Sequence, residues 1–458
     1  MAENPVRIRR ILVMSILIGI ISGFGALLFY KGIELFSELV LGGLFGFSFP
    51  MEGDTLAEAA AWSAPTTIWL IIPILMIGAL ISGLLVWKTA PEAAGHGTDA
   101  ALKSYHTDGK IRWRVPLVKA VSSILTIGSG GSAGCEGPIV QISAGFGSII
   151  SDIFKVTPEE RRMAIAIGIG AGVGAIFKAP LGGAILAAEI LYLRGIRFKV
   201  IPPALLASLI GYGIFSLFEG FTPLFGTIEM SWTAVQLPFF LLLGIAVSGI
   251  GFLYVKSFYG TQKLFNLFAA KFKIPKFLKP VIGAGIIGIL ITVFGYLSPE
   301  TFAVGLGCLG TGYGFVQLAL YNLLPFTILL ILPLAKILAT SLTIGSGASG
   351  GVFAPGLSIG AFAGGALGIG LNLLFPELIP LTAVPVFVII GMIATFGGVS
   401  HAPVAILFMV IEMTWNPWVA LPAVIALIPV CILLRKITIF RQQRLQMDDA
   451  RSVEEVYK

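Results

Sequence analysis

PLVKAVSSILTIGSGGSAGCEGP, residues 116–138, and PLAKILATSLTIGSGASGGVFAP, residues 333–355, are two copies of one pattern. Twelve of 23 aligned positions are identical at a constant offset of 217, among them Lys119, the run Leu125 to Gly130, Ser132, Gly134 and Pro138. A second correspondence follows in the same order. Ala179-Pro180 leads to Glu189, and Ala402-Pro403 leads at the same distance to Glu412, now at an offset of 223. Two matches in register make the chain an internal duplication. Transporters are commonly built from such repeats, with the site near the bilayer midplane between them.

Working outward, composition places the repeats in a membrane. Only 12% of the 458 residues are charged, against about 25% in soluble domains. Charge-free windows cover 11–30, 59–87, 200–218, 230–255, 280–299, 301–335, 337–376, 378–411 and 413–434. A spanning helix needs about 20 apolar residues, so we expect about ten or more membrane helices, some short or broken. The first apolar run follows Arg7, Arg9 and Arg10; no small-residue cleavage site leading to a soluble domain succeeds it, so it reads as a span rather than a leader. Basic clusters at Lys256 to Lys279 and Arg435 to Arg444 put these segments and both termini on the cytoplasmic side. The net charge of +7 is thus a topology signal, and no basic face interleaved with aromatics points to nucleic acid.

We expect a first membrane repeat over 1–225, a second over 226–441, and a short cytoplasmic tail over 442–458 with no appended regulatory domain. Cys135, Cys308 and Cys431 have no paired spacing and suggest neither disulfide nor metal. No cofactor motif is present.

Each repeat carries a Gly/Ser-rich break, Gly128 to Pro138 and Gly345 to Pro355. In lipid such a break is tolerated only where the freed backbone is buried or lines a cavity. Each opens into a helix-compatible run, so its bare N–H groups and positive dipole end suit an anion. The competing reading is close packing by small residues. Glu136 favours the first reading. It has no charged neighbour between Lys119 and Asp152, and a carboxylate at membrane depth costs about 2.5–3.5 kcal/mol, so it is retained for function. As an anion mimic it would occupy the anion's own site. Its repeat mate is Phe353.

These residues resemble the CLC family of chloride channels and proton/anion antiporters, over nearly the whole chain. Gly134-Cys135-Glu136-Gly137-Pro138 is similar to the family's G-[KR]-E-G-P motif, with Glu136 at the external gating glutamate. Gly351-Val352-Phe353-Ala354-Pro355 is similar to G-x-F-x-P, whose amides at Val352 and Phe353 would hold the central anion. Pro91 to Gly97 stands where the family has P-E-A-x-G-S-G. The resemblance implies an all-α polytopic fold of two inverted-topology repeats with broken, re-entrant helices, and a homodimer in the plasma (inner) membrane. It implies a small inorganic anion, chloride by default, with His96, Gly97, Cys135, Gly137, Val352, Phe353 and Phe440 around it.

The departures are specific. His96 replaces the family's central serine and Thr98-Asp99 its Ile-Pro; Phe440 falls at the pore tyrosine and Cys135 at a basic residue. The fluoride-selective branch, with Met at the first of these positions, is not matched either. An imidazole suits bicarbonate about as well as chloride. Glu189 matches the first of two consecutive family glutamates, but the internal proton-transfer glutamate falls on Ile190. That implies a channel or weakly coupled transporter, with a proton/anion antiporter using a non-standard internal path as the alternative. Glu189 and Glu412, as repeat mates, read as structural or proton carboxylates.

Of the other histidines, His401 reads as structural, and His96, Asp99 and His106 do not have the spacing of a metal site. Lys119 and Lys336 read equally as anion-steering or snorkelling cations. An intramembrane enzyme is disfavoured, because neither a nucleophile–base pair nor H-E-x-x-H occurs.

Overall fold

The computed structural model describes residues 5–446 and 451–456, and among these the secondary structure is helical, with a few isolated bridges. The tail expected over 442–458 therefore lies partly outside the described residues. The first half holds α1 (Pro5–Ser37), the short α2 (Leu56–Ala60), α3 (Ile71–Thr89) and α4 (Thr98–His106). It continues with α5 (Arg114–Gly128), α6 (Glu136–Ile153), α7 (Pro158–Ile176), α8 (Pro180–Glu189) and α9 (Ile201–Glu219). The second half begins with α10 (Leu237–Phe272), α11 (Lys279–Leu297), α12 (Pro299–Gly307) and α13 (Tyr313–Leu320). α14 (Phe326–Ile344), α15 (Phe353–Leu374), α16 (Val384–Ser400), α17 (Pro403–Thr414) and α18 (Ala420–Leu433) follow, and α19 (Val453–Val456) is a single turn.

Eight helices among the described residues are long and apolar enough to cross a bilayer, and two shorter apolar helices, Pro403–Thr414 and Pro417–Leu433, accompany them. The count falls at the low end of the expectation because several elements are too short or too buried to span alone. α7 and α16 are wrapped on nearly all sides, and the span ending at Ser400 is 94% buried. Neighbouring small residues explain the close approach. Gly168, Gly172 and Gly174 on α7 leave no space for a Cβ against Ser143 and Ser208.

The two halves pack alike. α1 lies on α9 as α10 lies on α18; α6 lies on α7 as α15 lies on α16; α3 lies on α5 as α11 lies on α14. They are inverted with respect to each other, and the contact between α8 and α17 shows it directly. Glu189, at the C-terminal end of α8, accepts the amides of Val404 (3.3 Å) and Ala405 (2.7 Å) at the start of α17. Glu412, near the end of α17, accepts those of Leu181 (3.1 Å) and Gly182 (2.8 Å) at the start of α8. Each carboxylate supplies acceptors for amides that no turn of its mate can reach. The two helices are antiparallel and cap one another.

The two Gly/Ser breaks meet at the centre. Gly134 and Gly351 exchange backbone hydrogen bonds of 2.8 and 2.7 Å in a short antiparallel bridge. Serine and threonine hydroxyls tie the same region across the halves: Ser122 and Ser123 to Ser349, each at 2.9 Å, and Ser132 to Thr340 at 3.0 Å. The freed backbone at membrane depth is thus satisfied within the protein, as it must be.

Candidate functional site

Glu136 is the first residue of α6 and Phe353 the first of α15, so the two helices begin within the same small volume. Gly137 makes the approach possible, since a Cβ there would run into the His96 carbonyl and Gly351. Glu136 is fully buried. Its Oε2 accepts the backbone N–H of Ala354 at 3.2 Å, and its Oε1 accepts the hydroxyl of Tyr313 at 2.8 Å. A carboxylate from one half therefore sits on the helix start of the other. The amide that reaches it is Ala354, the next in line after Val352 and Phe353. The Val352 carbonyl is held from behind by the Tyr254 hydroxyl at 2.7 Å.

Two short loops frame this meeting point, and they obey the same symmetry. Gly95-His96-Gly97-Thr98 leads into α4, and Gly310-Thr311-Gly312-Tyr313 leads into α13. Gly97 and Gly312 both have positive φ, +82° and +89°, which only glycine adopts without strain. Each loop is braced by a break from the opposite half: Gly350 N–H bonds Gly95 O at 3.3 Å, and Ala133 N–H bonds Gly310 O at 3.1 Å. Each is also held by a buried lysine. Lys119 Nζ donates to the carbonyls of Ala93 (3.1 Å) and Gly95 (2.6 Å), and Lys336 Nζ to Cys308 (3.0 Å), Leu309 (3.3 Å) and Gly310 (2.9 Å). The expectation that these lysines steer anions or snorkel is corrected. Both are fully buried, and their ammonium groups satisfy the loop carbonyls.

On the loop of the first half, His96 lies between Phe258 and Phe440, ring centroids 6.2 and 5.7 Å away. Phe440 continues to Phe396 at 6.3 Å, and Phe396 to Phe353 at 4.1 Å. The structure thus brings His96, Gly97, Gly137, Phe353 and Phe440 together with Glu136. Val352, at the start of α15, belongs to the same group. Cys135, whose thiol reaches the Glu136 carboxylate, also lines a cavity of about 610 Å³ together with Glu34, Glu38, Glu52, Leu309 and Thr311. Three glutamates line this cavity, one of them, Glu34, ion-paired with Lys31 at 2.7 Å.

Glu189 and Glu412 lie in the α8–α17 contact, committed to amides. His106 ends α4 beside the exposed turn at Thr107 and Asp108, and its Nε2 bonds Leu191 O at 2.9 Å. Burial pushes its imidazole down to about 4, against the opposing pull of that carbonyl. His401, in left-handed conformation at φ +53°, caps α16 and bonds Ile437 O at 3.1 Å. Tyr313, Ala354 and Tyr254 were not singled out from sequence. Tyr313 had a signal, because the G-x-G frame ahead of it repeats the one around His96.

A family model described as "Voltage gated chloride channel" matches residues 70–434. A protein of Methanocaldococcus jannaschii is 35% identical over 336 residues, covering 73% of this chain and 77% of that one. The H(+)/Cl(-) exchange transporter ClcA of Salmonella agona is 30% identical over 422 residues, covering 91% of this chain and 83% of that one. Among solved structures, a slow cyanobacterial Cl-/H+ antiporter aligns with a TM-score of 0.76 at 26% identity, covering 94% and 95% of the two chains. A CLC-type fluoride/proton antiporter shares the fold at a TM-score of 0.77 and 20% identity, over 97% and 100%.

Proposed function

The chain belongs to the voltage gated chloride channel (CLC) family, a family of anion transporters in membranes, and from that premise we propose that it carries a small anion through a pathway closed by Glu136. The observation that carries this reading is the carboxylate of one half seated on the helix start of the other. In that position Glu136 stands in for the anion. It takes a backbone N–H and a hydroxyl donor, the two kinds of neutral donor that bind a halide weakly enough to release it. Protonation removes the charge that those donors favour, the carboxyl leaves, and an anion takes its place. His96, Gly97, Gly137, Val352, Phe353 and Phe440 form the inner surroundings of that pathway, and Cys135 its outer lining.

Chloride is the default substrate and bicarbonate the alternative. The pathway is channel-like or weakly coupled to protons. Ile190 stands where a carboxylate would relay them, and Glu189 beside it is already bonded to two amides. A proton/anion antiporter with another internal path is the second reading, favoured by relatives named as exchange transporters. We further infer two repeats, over 1–225 and 226–441, a homodimer with one pathway per subunit, a plasma-membrane location, and both termini in the cytoplasm.

Anion flux and reversal potentials in proteoliposomes test the reading, with chloride, fluoride, nitrate and bicarbonate supplied in turn. A reversal potential that follows the anion gradient alone supports the channel-like form. One that moves with an imposed pH gradient supports the antiporter. Absence of flux for all four anions would overturn both.

A further inference from the structure

His96 and Asp99 form a pair that the Glu136 gate does not use. His96 Nε2 lies 3.3 Å from Asp99 Oδ2, while Asp99 Oδ1 accepts the backbone N–H of Gln442 at 3.1 Å. That second bond anchors the carboxylate to the C-terminal segment. His96 is only 8% exposed, and its Nδ1, buried between Phe258 and Phe440, has no hydrogen-bond partner. An unsatisfied buried nitrogen is costly, so Nδ1 is free to take a partner from the pathway.

We propose that His96 Nδ1 binds the transported anion only when it carries a proton, with Asp99 holding the ring in the tautomer that allows this. The inference rests on the anion-transport reading above. The Asp99 carboxylate 3.3 Å from Nε2 favours the ring proton at that nitrogen, so the neutral ring presents a lone pair at Nδ1 and repels an anion. One proton taken from water converts that lone pair into an N–H donor, and the anion enters beside a full positive charge. The proton and the anion arrive as a neutral pair. Reversal returns the proton to water and frees the anion. A proton-dependent step thereby arises without a carboxylate at position 190.

The other charged and titratable groups nearby are already engaged. On the same segment Glu92 pairs with Arg112, and on α5 Lys119 bonds the loop carbonyls. On α10 the Tyr259 hydroxyl bonds Ile439 O, and the Arg441 guanidinium lies 3.4 Å over its ring. From the C-terminal segment Glu454 accepts the Gln442 side chain, and on α6 Glu136 is held by Tyr313 and Ala354. A pH response at this end of the pathway falls to His96.

The test uses the Glu136→Gln protein in proteoliposomes, where the gate's own titration is gone, at equal pH on both sides. Chloride efflux is expected to fall roughly tenfold or more between pH 5.5 and 8.0, the range in which imidazole changes charge. Adding His96→Gln is expected to leave efflux flat across that range. Adding Asp99→Asn is expected to weaken chloride efflux at each pH in the range, because the carboxylate no longer favours the imidazolium. Proton uptake on adding chloride to weakly buffered Glu136→Gln protein gives a second readout that needs no His96 variant: about one proton per chloride near neutrality. Flux that is present but independent of pH, an unchanged slope after His96→Gln, or chloride binding without proton uptake overturns the proposal and leaves the transport reading standing. Absence of flux at every pH overturns the transport reading itself.

Discussion

The Tyr313 hydroxyl donates to Glu136 Oε1 at 2.8 Å, joining residues 177 positions apart, both buried. A charge-assisted bond of this kind is worth about 1.5–3 kcal/mol. On the proposed function it holds the ionised carboxylate in the pathway. Tyr313→Phe keeps the ring, which packs 5.4 Å from Phe225, and removes only the donor. Displacement of the carboxylate should become roughly tenfold easier or more. Chloride efflux measured against pH should therefore rise, with its midpoint moved to higher pH, because the charged form has lost a partner. An unchanged profile would remove Tyr313 from the gate.

The sequence made the central feature legible through chemistry that has few other uses in a membrane. Glycine and proline breaks, an isolated carboxylate at position 136 and a repeat at offset 217 all pointed to helix ends meeting at depth. Tyr313 stayed hidden because an aromatic in an apolar run reads as packing, and only the loop symmetry with Gly95 to Thr98 distinguishes it. Ala354 stayed hidden because every residue has an amide. The pairing of Glu189 with Glu412 was visible as repetition, but their partners on the opposite helix required coordinates. Lys119 and Lys336 were misread because a lysine in lipid suggests solvent or ligand, whereas here its partners are carbonyls freed by the broken helices.

The reciprocal caps give a stability prediction. Glu189→Gln and Glu412→Gln each replace a charged acceptor of two amides by a neutral one, at a cost of about 1–2 kcal/mol. Both variants should lower the apparent melting temperature in detergent to a similar extent. Neither should alter the pH dependence of chloride flux. A selective loss of proton movement in Glu189→Gln would assign it to a relay instead.

The buried lysines yield another. Lys119→Met and Lys336→Met keep the stem and leave two or three carbonyls unsatisfied, at about 1–3 kcal/mol for each group left bare. Reduced thermal stability and poor expression are expected, with little change in apparent anion affinity for protein that survives. A large affinity loss at normal stability would restore an anion-steering role.

The cavity beside Cys135 offers a chemical test. Cys135 lines it together with Glu34, Glu38 and Glu52. In protein whose other cysteines, Cys308 and Cys431, are replaced by alanine, a cationic thiol reagent should modify Cys135 several-fold faster than an anionic one of similar size, with the ratio shrinking at high salt. Equal rates would mean that the acids do not set the potential there.

The central claim, that Glu136 closes an anion pathway where the two halves meet, is tested most directly by chloride efflux and proton movement in proteoliposomes carrying Glu136→Gln. The neutral side chain should leave the pathway open, giving efflux faster than that of the unmodified protein at the same pH, with no proton carried from one side of the membrane to the other. Flux and proton movement indistinguishable from the unmodified protein would contradict it.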